Sequence, residues 1–232
     1  MLLFVYDYMP YGSLDKHLFG GSALILSWTD RYKILLGVAS ALQYIHSGID
    51  KKVVHRGVKS SNIMLDSDLN AHLGDFELTR ALDDEKSKTV HVELEGFSST
   101  FAYTAPECML TGNTTEDSDV YGLGVILLEV TCGRRPWNEV GSFDFLVNWV
   151  RPLYCKGRIL EAIDKRLENN SEIEEAERVL LLGLACSHPI AENRPSSKDV
   201  LLMLSGCMPI PDISSFTPTG PSLQQILQRT KH

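Results

Sequence analysis

The sequence predicts a mainly helical, α+β domain with a few short strands near its start. Three observations lead there. Residues 117–132 are apolar nearly all round, the pattern of a helix with no solvent face. Trp28, Tyr32, Leu35, Ala39 and Leu42 recur at spacings of four, three, four and three, which is one face of an amphipathic helix. The β-prone runs are short, lie in the first third of the chain, and are separated by Asp, Ser and Asn, residues that favour turns.

Taken in order, Leu2-Leu3-Phe4-Val5-Tyr6 is a short apolar run of β-formers and reads as a buried strand. Pro10 and Gly12 break it. Ser13 is placed to cap a short helix running to Phe19 and ended by Gly20-Gly21. Ser27, with Asp30 three residues on, caps the amphipathic helix, which Gly48 ends. Val53-Val54, Ile63-Met64-Leu65 and His72-Leu73-Gly74 read as short strands. Residues 83–104 are polar and read as a long exposed loop, a length usually tied to function or to disorder. In the apolar helix over 117–132, Gly122 and Gly124 allow close backbone approach. Further helices are expected over 143–154 and 174–186. A last one starts at Ser196, where Ser196-x-x-Asp199 makes a capping box before Leu201, Leu202 and Leu204. After Met208 prolines, serines and threonines mark a tail, mostly disordered, with a helical turn at 223–227.

Composition bounds the function classes. The chain has 232 residues, 44% hydrophobic and 22% charged, ordinary for a globular protein. A net charge of -8 argues against nucleic-acid partners, which need a basic surface. The cysteines (Cys108, Cys132, Cys155, Cys186, Cys207) are odd in number and widely spaced. No pair has zinc spacing, so a reducing compartment and buried thiols are expected. No apolar run approaches the ~20 residues of a membrane span, and the N-terminus lacks the basic region of a signal peptide. As written, the chain is expected to be cytoplasmic, with no membrane contact of its own.

The chemistry lies in motifs that occur in order. His55-Arg56-Gly57-Val58-Lys59-Ser60-Ser61-Asn62 is followed by Asp75-Phe76-Glu77, Ala105-Pro106-Glu107, Asp119-Val120-Tyr121-Gly122-Leu123-Gly124 and Arg194-Pro195. Together they resemble the protein-kinase catalytic loop H-R-D-x-K-x-x-N, then D-F-G, A-P-E, the start of the large central helix, and the late R-P. Leu3-Phe4-Val5-Tyr6-Asp7-Tyr8-Met9-Pro10-Tyr11-Gly12-Ser13-Leu14 is similar to the hinge of plant receptor-like kinases. Gly133-Arg134-Arg135-Pro136 and Cys186-Ser187-His188-Pro189 look like the L-type lectin-domain receptor kinase branch. The resemblance covers roughly residues 2–206. It implies a protein-kinase-like large lobe over residues 1–206, with a Pro/Ser/Thr-rich tail over 207–232.

The resemblance also implies roles. Lys59 is the serine/threonine-type residue and would meet the transferring phosphate. Asn62 and Asp75 would hold Mg²⁺, as hard oxygen donors. Tyr6 resembles the gatekeeper, and the backbone of Asp7 and Met9 would hold the adenine edge of ATP. His55 is a core histidine. Arg56 would pair with a phosphorylated loop residue, for which Ser87, Thr89, Ser98 and Ser99 are candidates. Thr100 and Tyr103 match the substrate-positioning loop. Glu107 and Arg194 match a buried ion pair, and Asp119 the residue that braces the catalytic loop.

Departures from the pattern point one way. Gly57 stands where the family has the aspartate that accepts the substrate proton. Glu77 replaces the D-F-G glycine and brings negative charge towards the phosphates. Ser99 and Ala102 replace glycines, and Val92-Glu93-Leu94-Glu95-Gly96 is acidic. No glycine-rich loop or ATP-binding lysine strand precedes the hinge, so the small β-rich lobe is expected to be absent and ATP binding weakened. The expected function is a truncated receptor-like serine/threonine kinase domain, catalytically impaired, with ATP and Mg²⁺ as the family's cofactors. Its expected partners are other receptor-like kinases or their protein substrates. The alternatives are an incomplete sequence of an ATP-dependent kinase in plant receptor signalling, and a decaying gene copy. Family members are plasma-membrane receptors with this domain on the cytoplasmic side.

Overall fold

A computed structural model describes residues 7–20, 25–48, 53–75, 99–138, 144–167 and 172–213. The strand expected over residues 2–6 lies outside them. A two-residue strand, β1 (Gly12–Ser13), leads directly into α1 (Leu14–Phe19). Gly12 takes a positive φ of 64°, a conformation that suits glycine. Ser13 is the N-cap as expected, but its side chain makes no capping bond, and the helix ends at Gly20.

Helix α2 (Trp28–His46) begins where the sequence places it. The Ser27 side chain accepts from the Asp30 N–H and donates to the Asp30 carboxylate at 2.7 Å. Its apolar face buries Trp28, Leu35, Ala39 and Leu42, with Tyr32 packed at the edge. Strands β2 (Ile63–Leu65) and β3 (Ala71–Leu73) follow a 3-10 turn at Ser60–Asn62. The three strands form an antiparallel sheet in the order β1-β2-β3, with Gly12 opposite Leu65 and Met64 opposite His72. Asp66 shapes the β2–β3 turn by accepting the Asp68 and Asn70 N–H groups at 2.9 Å.

Residues 99–103, expected to end an exposed loop, form a 3-10 turn instead, with Ala102 and Tyr103 buried. Helix α3 (Pro106–Thr111) closes on Gly112 at a φ of 70°. Helix α4 (Glu116–Cys132) is the axis of the domain, with every residue from Ser118 to Cys132 buried. Thr115 and Ser118 cap it reciprocally. Gly124 sits against Cys186 and Ser187 of the facing helix, and a Cβ there would lie 2.7 Å from the Ser187 nitrogen.

Strands β4 (Trp137–Asn138) and β5 (Asp144–Phe145) pair ahead of α5 (Leu146–Cys155). That helix therefore starts later than residue 143, because the chain before it is paired as strand. Helices α6 (Ile173–Cys186) and α7 (Ser197–Leu204) complete the fold, the latter capped by Ser196 as its motif predicts. A buried Arg31–Asp164 pair at 2.8 Å joins α2 to the chain after α5. Beyond residue 206, Met208 and Ile210 pack against the core and Ile213 is buried. Residues 214–232 lie outside the described part. Of the cysteines, Cys108, Cys132 and Cys186 are buried as expected, whereas Cys155 and Cys207 are exposed. No helix among the described residues is long and apolar enough to cross a membrane. The fold is thus mainly α, with a small three-stranded sheet, as expected for the large lobe.

Candidate active site

The loop at residues 55–62 is held from below by one carboxylate. Asp119, buried in the first turn of α4, accepts the His55 N–H at 2.6 Å and the Arg56 N–H at 2.8 Å. His46 Nε2 donates to the same carboxylate at 3.1 Å, and its Nδ1 lies 3.1 Å from Ser197 Oγ. Two adjacent backbone donors can share one carboxylate only if the chain bends sharply. Arg56 supplies the bend with a φ of 69°, costly for a side chain this large. The Arg56 side chain is half-buried, and its Nε is enclosed with no hydrogen-bond partner.

The His55 imidazole ties the loop to the end of β3. Its Nδ1 accepts the Gly57 N–H at 3.2 Å, so its Nε2 donates to the Gly74 carbonyl at 3.0 Å. Both bonds require the neutral ring. Burial pushes its pKa below the ordinary 6.5 and so favours that form.

Gly57 does not adopt a left-handed conformation. A Cβ built on it would lie 3.2 Å from Asn62 Nδ2 and 3.6 Å from the His55 ring. Space for a side chain is therefore nearly present. A cavity of about 50 Å³ opens beside it, lined by Gly57, Lys59, Thr100, Cys108 and Gly122 among others. Asn62 Nδ2 donates to the Gly57 carbonyl at 2.9 Å and to Asp75 Oδ2 at 3.1 Å. That orientation turns the amide oxygen away from both partners. Asp75 is exposed, with a φ of 64°. Asp75 presents a hard oxygen of the type Mg²⁺ takes, and Asn62 would add its own once the amide turned and gave up its bonds to Gly57 and Asp75. Lys59 Nζ donates to Thr100 Oγ1 at 3.4 Å.

Arg194, with a fully buried side chain, forks onto Glu107 at 2.6 and 2.7 Å and also donates to the Asp117 and His188 carbonyls. This joins α3, α4 and the turn before α7. Of the expected nucleotide-edge residues, Asp7 is exposed, and Met9 is half-buried with its carbonyl accepting the Gly12 N–H at 3.0 Å. Tyr6 and Glu77 lie outside the described residues, as do Ser87, Thr89 and Ser98.

Three residues that motif reading passed over, or placed only loosely, meet under the loop. Ser60 Oγ lies 2.9 Å from Glu129 Oε1, Tyr103 OH lies 2.6 Å from Glu129 Oε2, and the two hydroxyls are 2.9 Å apart. Burial pushes the Glu129 carboxyl up to about 8, with the Tyr103 and Ser60 bonds acting the other way. The available signal was a lone carboxylate in the apolar run over residues 120–132 of that helix. His46 was passed over as well, being one polar residue near a helix end.

A family profile described as protein kinase domain matches residues 1–204. L-type lectin-domain containing receptor kinase VIII.1 of Arabidopsis thaliana is 46% identical over 226 residues, covering 94% of this chain and 31% of the relative. L-type lectin-domain containing receptor kinase SIT1 of Oryza sativa subsp. japonica is 43% identical over 216 residues, covering 92% and 31%. The probable receptor kinase S.5 of Arabidopsis thaliana is 43% identical over 224 residues, covering 93% and 34%. The chain spans about a third of the length of these relatives. With its catalytic-loop, A-P-E and central-helix motifs set on this helical lobe, the chain belongs to the protein kinase family, and L-type lectin-domain receptor kinases are its relatives.

Proposed function

We propose that this chain is a receptor-like serine/threonine kinase domain in which phosphoryl transfer is impaired and binding is the main activity. Gly57 carries the reading. The loop around it is fully braced by Asp119, His55 and Asn62, yet residue 57 offers no group to accept the substrate proton. A positioned base contributes typically 10²–10⁴-fold in rate. Asn62 and Asp75 would hold the Mg²⁺ that neutralises phosphate charge in this family, and Lys59 would face the transferred group. Partners would be other receptor-like kinases or their protein substrates, engaged through the helical surface.

The test incubates the purified chain with Mg-ATP and a serine/threonine peptide. No transfer above background is expected. Transfer that Lys59→Ala abolishes would refute impairment and favour the second reading, a slow kinase acting by positioning alone. The bond between Lys59 and Thr100 and the Asn62–Asp75 contact favour that second reading. Co-elution with the cytoplasmic domain of a lectin receptor kinase tests the binding role, and separate elution would count against it.

A further inference from the structure

The Ser60–Tyr103–Glu129 cluster can be solved by counting protons. Each of its three contacts is of hydrogen-bond length, at 2.9, 2.6 and 2.9 Å. Each hydroxyl carries one proton. With Glu129 ionised, two protons must serve three contacts. If both hydroxyls donate to the carboxylate, their oxygens face each other at 2.9 Å with nothing between them. With Glu129 neutral, three protons serve three contacts. The carboxylic acid then donates to one hydroxyl, that hydroxyl to the other, and the second back to the carbonyl oxygen. The ring closes in either direction, and every member donates once and accepts once. Such a closed network is what burial demands, because a half-satisfied one is costly.

We propose that Glu129 carries a proton in the folded protein and acts as a positioning residue, closing a ring that fastens the 99–103 turn to the catalytic loop and releases it when that proton is lost. The claim goes beyond the proposed function and does not depend on it.

The placement gives the ring its reach. Ser60 opens the 3-10 turn next to Lys59, Tyr103 ends the turn that also carries Thr100, and Glu129 comes from the central helix. Lys59 and Thr100 are themselves in contact at 3.4 Å, so opening the ring loosens that pairing too. The charged groups around Glu129 leave the proton in place. Burial is the leading cause of its raised pKa, and Asp15 of α1 adds to it, while Arg135 beyond the end of α4 opposes it. Arg31 of α2 donates to the neighbouring Val130 carbonyl but is paired with Asp164. Arg151 of α5 acts on Tyr121, and Cys186 of α6 meets α4 at Gly124, both towards the other half of the helix.

The sign of the pH effect follows. The folded-state pKa, about 8, exceeds the ordinary 4.5. The ring's contribution to stability is therefore fully present below pH 4.5 and is lost as pH rises through about 8.

The experiment compares the full chain with Glu129→Gln, whose amide stays neutral at every pH. Infrared spectra of the wild type at about pH 6 should show a protonated-carboxyl band absent from Glu129→Gln and lost on titration through about 8. Hydrogen exchange at residues 99–104 should match between the two at about pH 6 and run several-fold faster in the wild type at about pH 9. Tyr103→Phe removes two edges of the ring and should exchange fast at both pH values. If Glu129→Gln does not fold, the wild-type band and the Tyr103→Phe comparison carry the test. A missing band, or an exchange ratio that does not change between the two pH values, overturns the proposal.

Discussion

Gly124→Ala should destabilise the domain although alanine is the better helix former. In α4 the exchange gains up to about 1 kcal/mol of helix propensity. Against that, the new Cβ would sit 2.7 Å from Cys186 Cβ, 2.7 Å from the Ser187 nitrogen and 2.9 Å from the Gly183 carbonyl oxygen. Carbon atoms in good contact lie roughly 3.5–4.0 Å apart, so α6 must retreat by about 1 Å. Two of the three clashing atoms are backbone and cannot swing away. The Ser187 N–H also bonds the Gly183 carbonyl at 3.0 Å, so the retreat strains the end of α6. Overpacking costs about 1–3 kcal/mol; three contacts under 3 Å, two of them to backbone, place this case at about 2–3 kcal/mol, and after the propensity gain the net loss should be about 1–2 kcal/mol. For a domain of this size that is a fall in Tm of roughly 2–8 °C. Thermal unfolding followed by circular dichroism reads it directly. A variant as stable as the wild type would refute the close approach of α4 and α6 and the reason given for the glycine.

The other predictions test the braces of the loop. Arg194→Ala leaves Glu107 and the Asp117 and His188 carbonyls without their donor. It should lower the unfolding free energy by about 3 kcal/mol, the low end for a broken buried pair because Glu107 is 28% exposed, measured by urea titration. Asp119→Ala strands the His55 and Arg56 N–H groups and should cost roughly 2–5 kcal/mol, with faster amide exchange at both residues. Gly57→Asp should change the urea midpoint little, within about 1 kcal/mol, because its Cβ needs Asn62 to yield only a few tenths of an ångström. At acid pH, His55 and His188 are held neutral by burial, with pKa values below 6.5. The unfolded chain takes up protons that the folded chain refuses, so stability present above pH 6.5 should fall as the pH drops below it. The Glu129 carboxyl acts in the opposite direction between about pH 8 and 4.5, so the reading is made in Glu129→Gln, where urea midpoints that stay level from about pH 7 to about pH 5 would contradict this.

Much of the scaffold was legible because local pattern and family motif agreed on it. The all-apolar run at 117–132, the Ser27 and Ser196 caps, and the order of Asp119, Glu107 and Arg194 each needed only neighbouring residues to be read. What was not legible depends on partners far along the chain. Ser60 meets Glu129 69 residues away and Tyr103 meets it from 26 away, separations that no periodicity encodes. The β4–β5 pair is only two residues per strand, too short to show alternation, so the start of α5 was placed early. The 99–103 turn looked polar, but its Ala102 is small enough to pack and its Tyr103 finds a buried partner for its hydroxyl.

Gly57 sits in backbone that any residue can adopt, within a loop whose shape is fixed by side chains at 46, 55, 62 and 119. None of those supports consults the identity of residue 57. The requirement to fold therefore does little to choose between glycine and aspartate at that position, asking only that Asn62 yield slightly. The loop is a socket maintained by other means. Changing one residue would put a proton acceptor into it without rebuilding any of its supports.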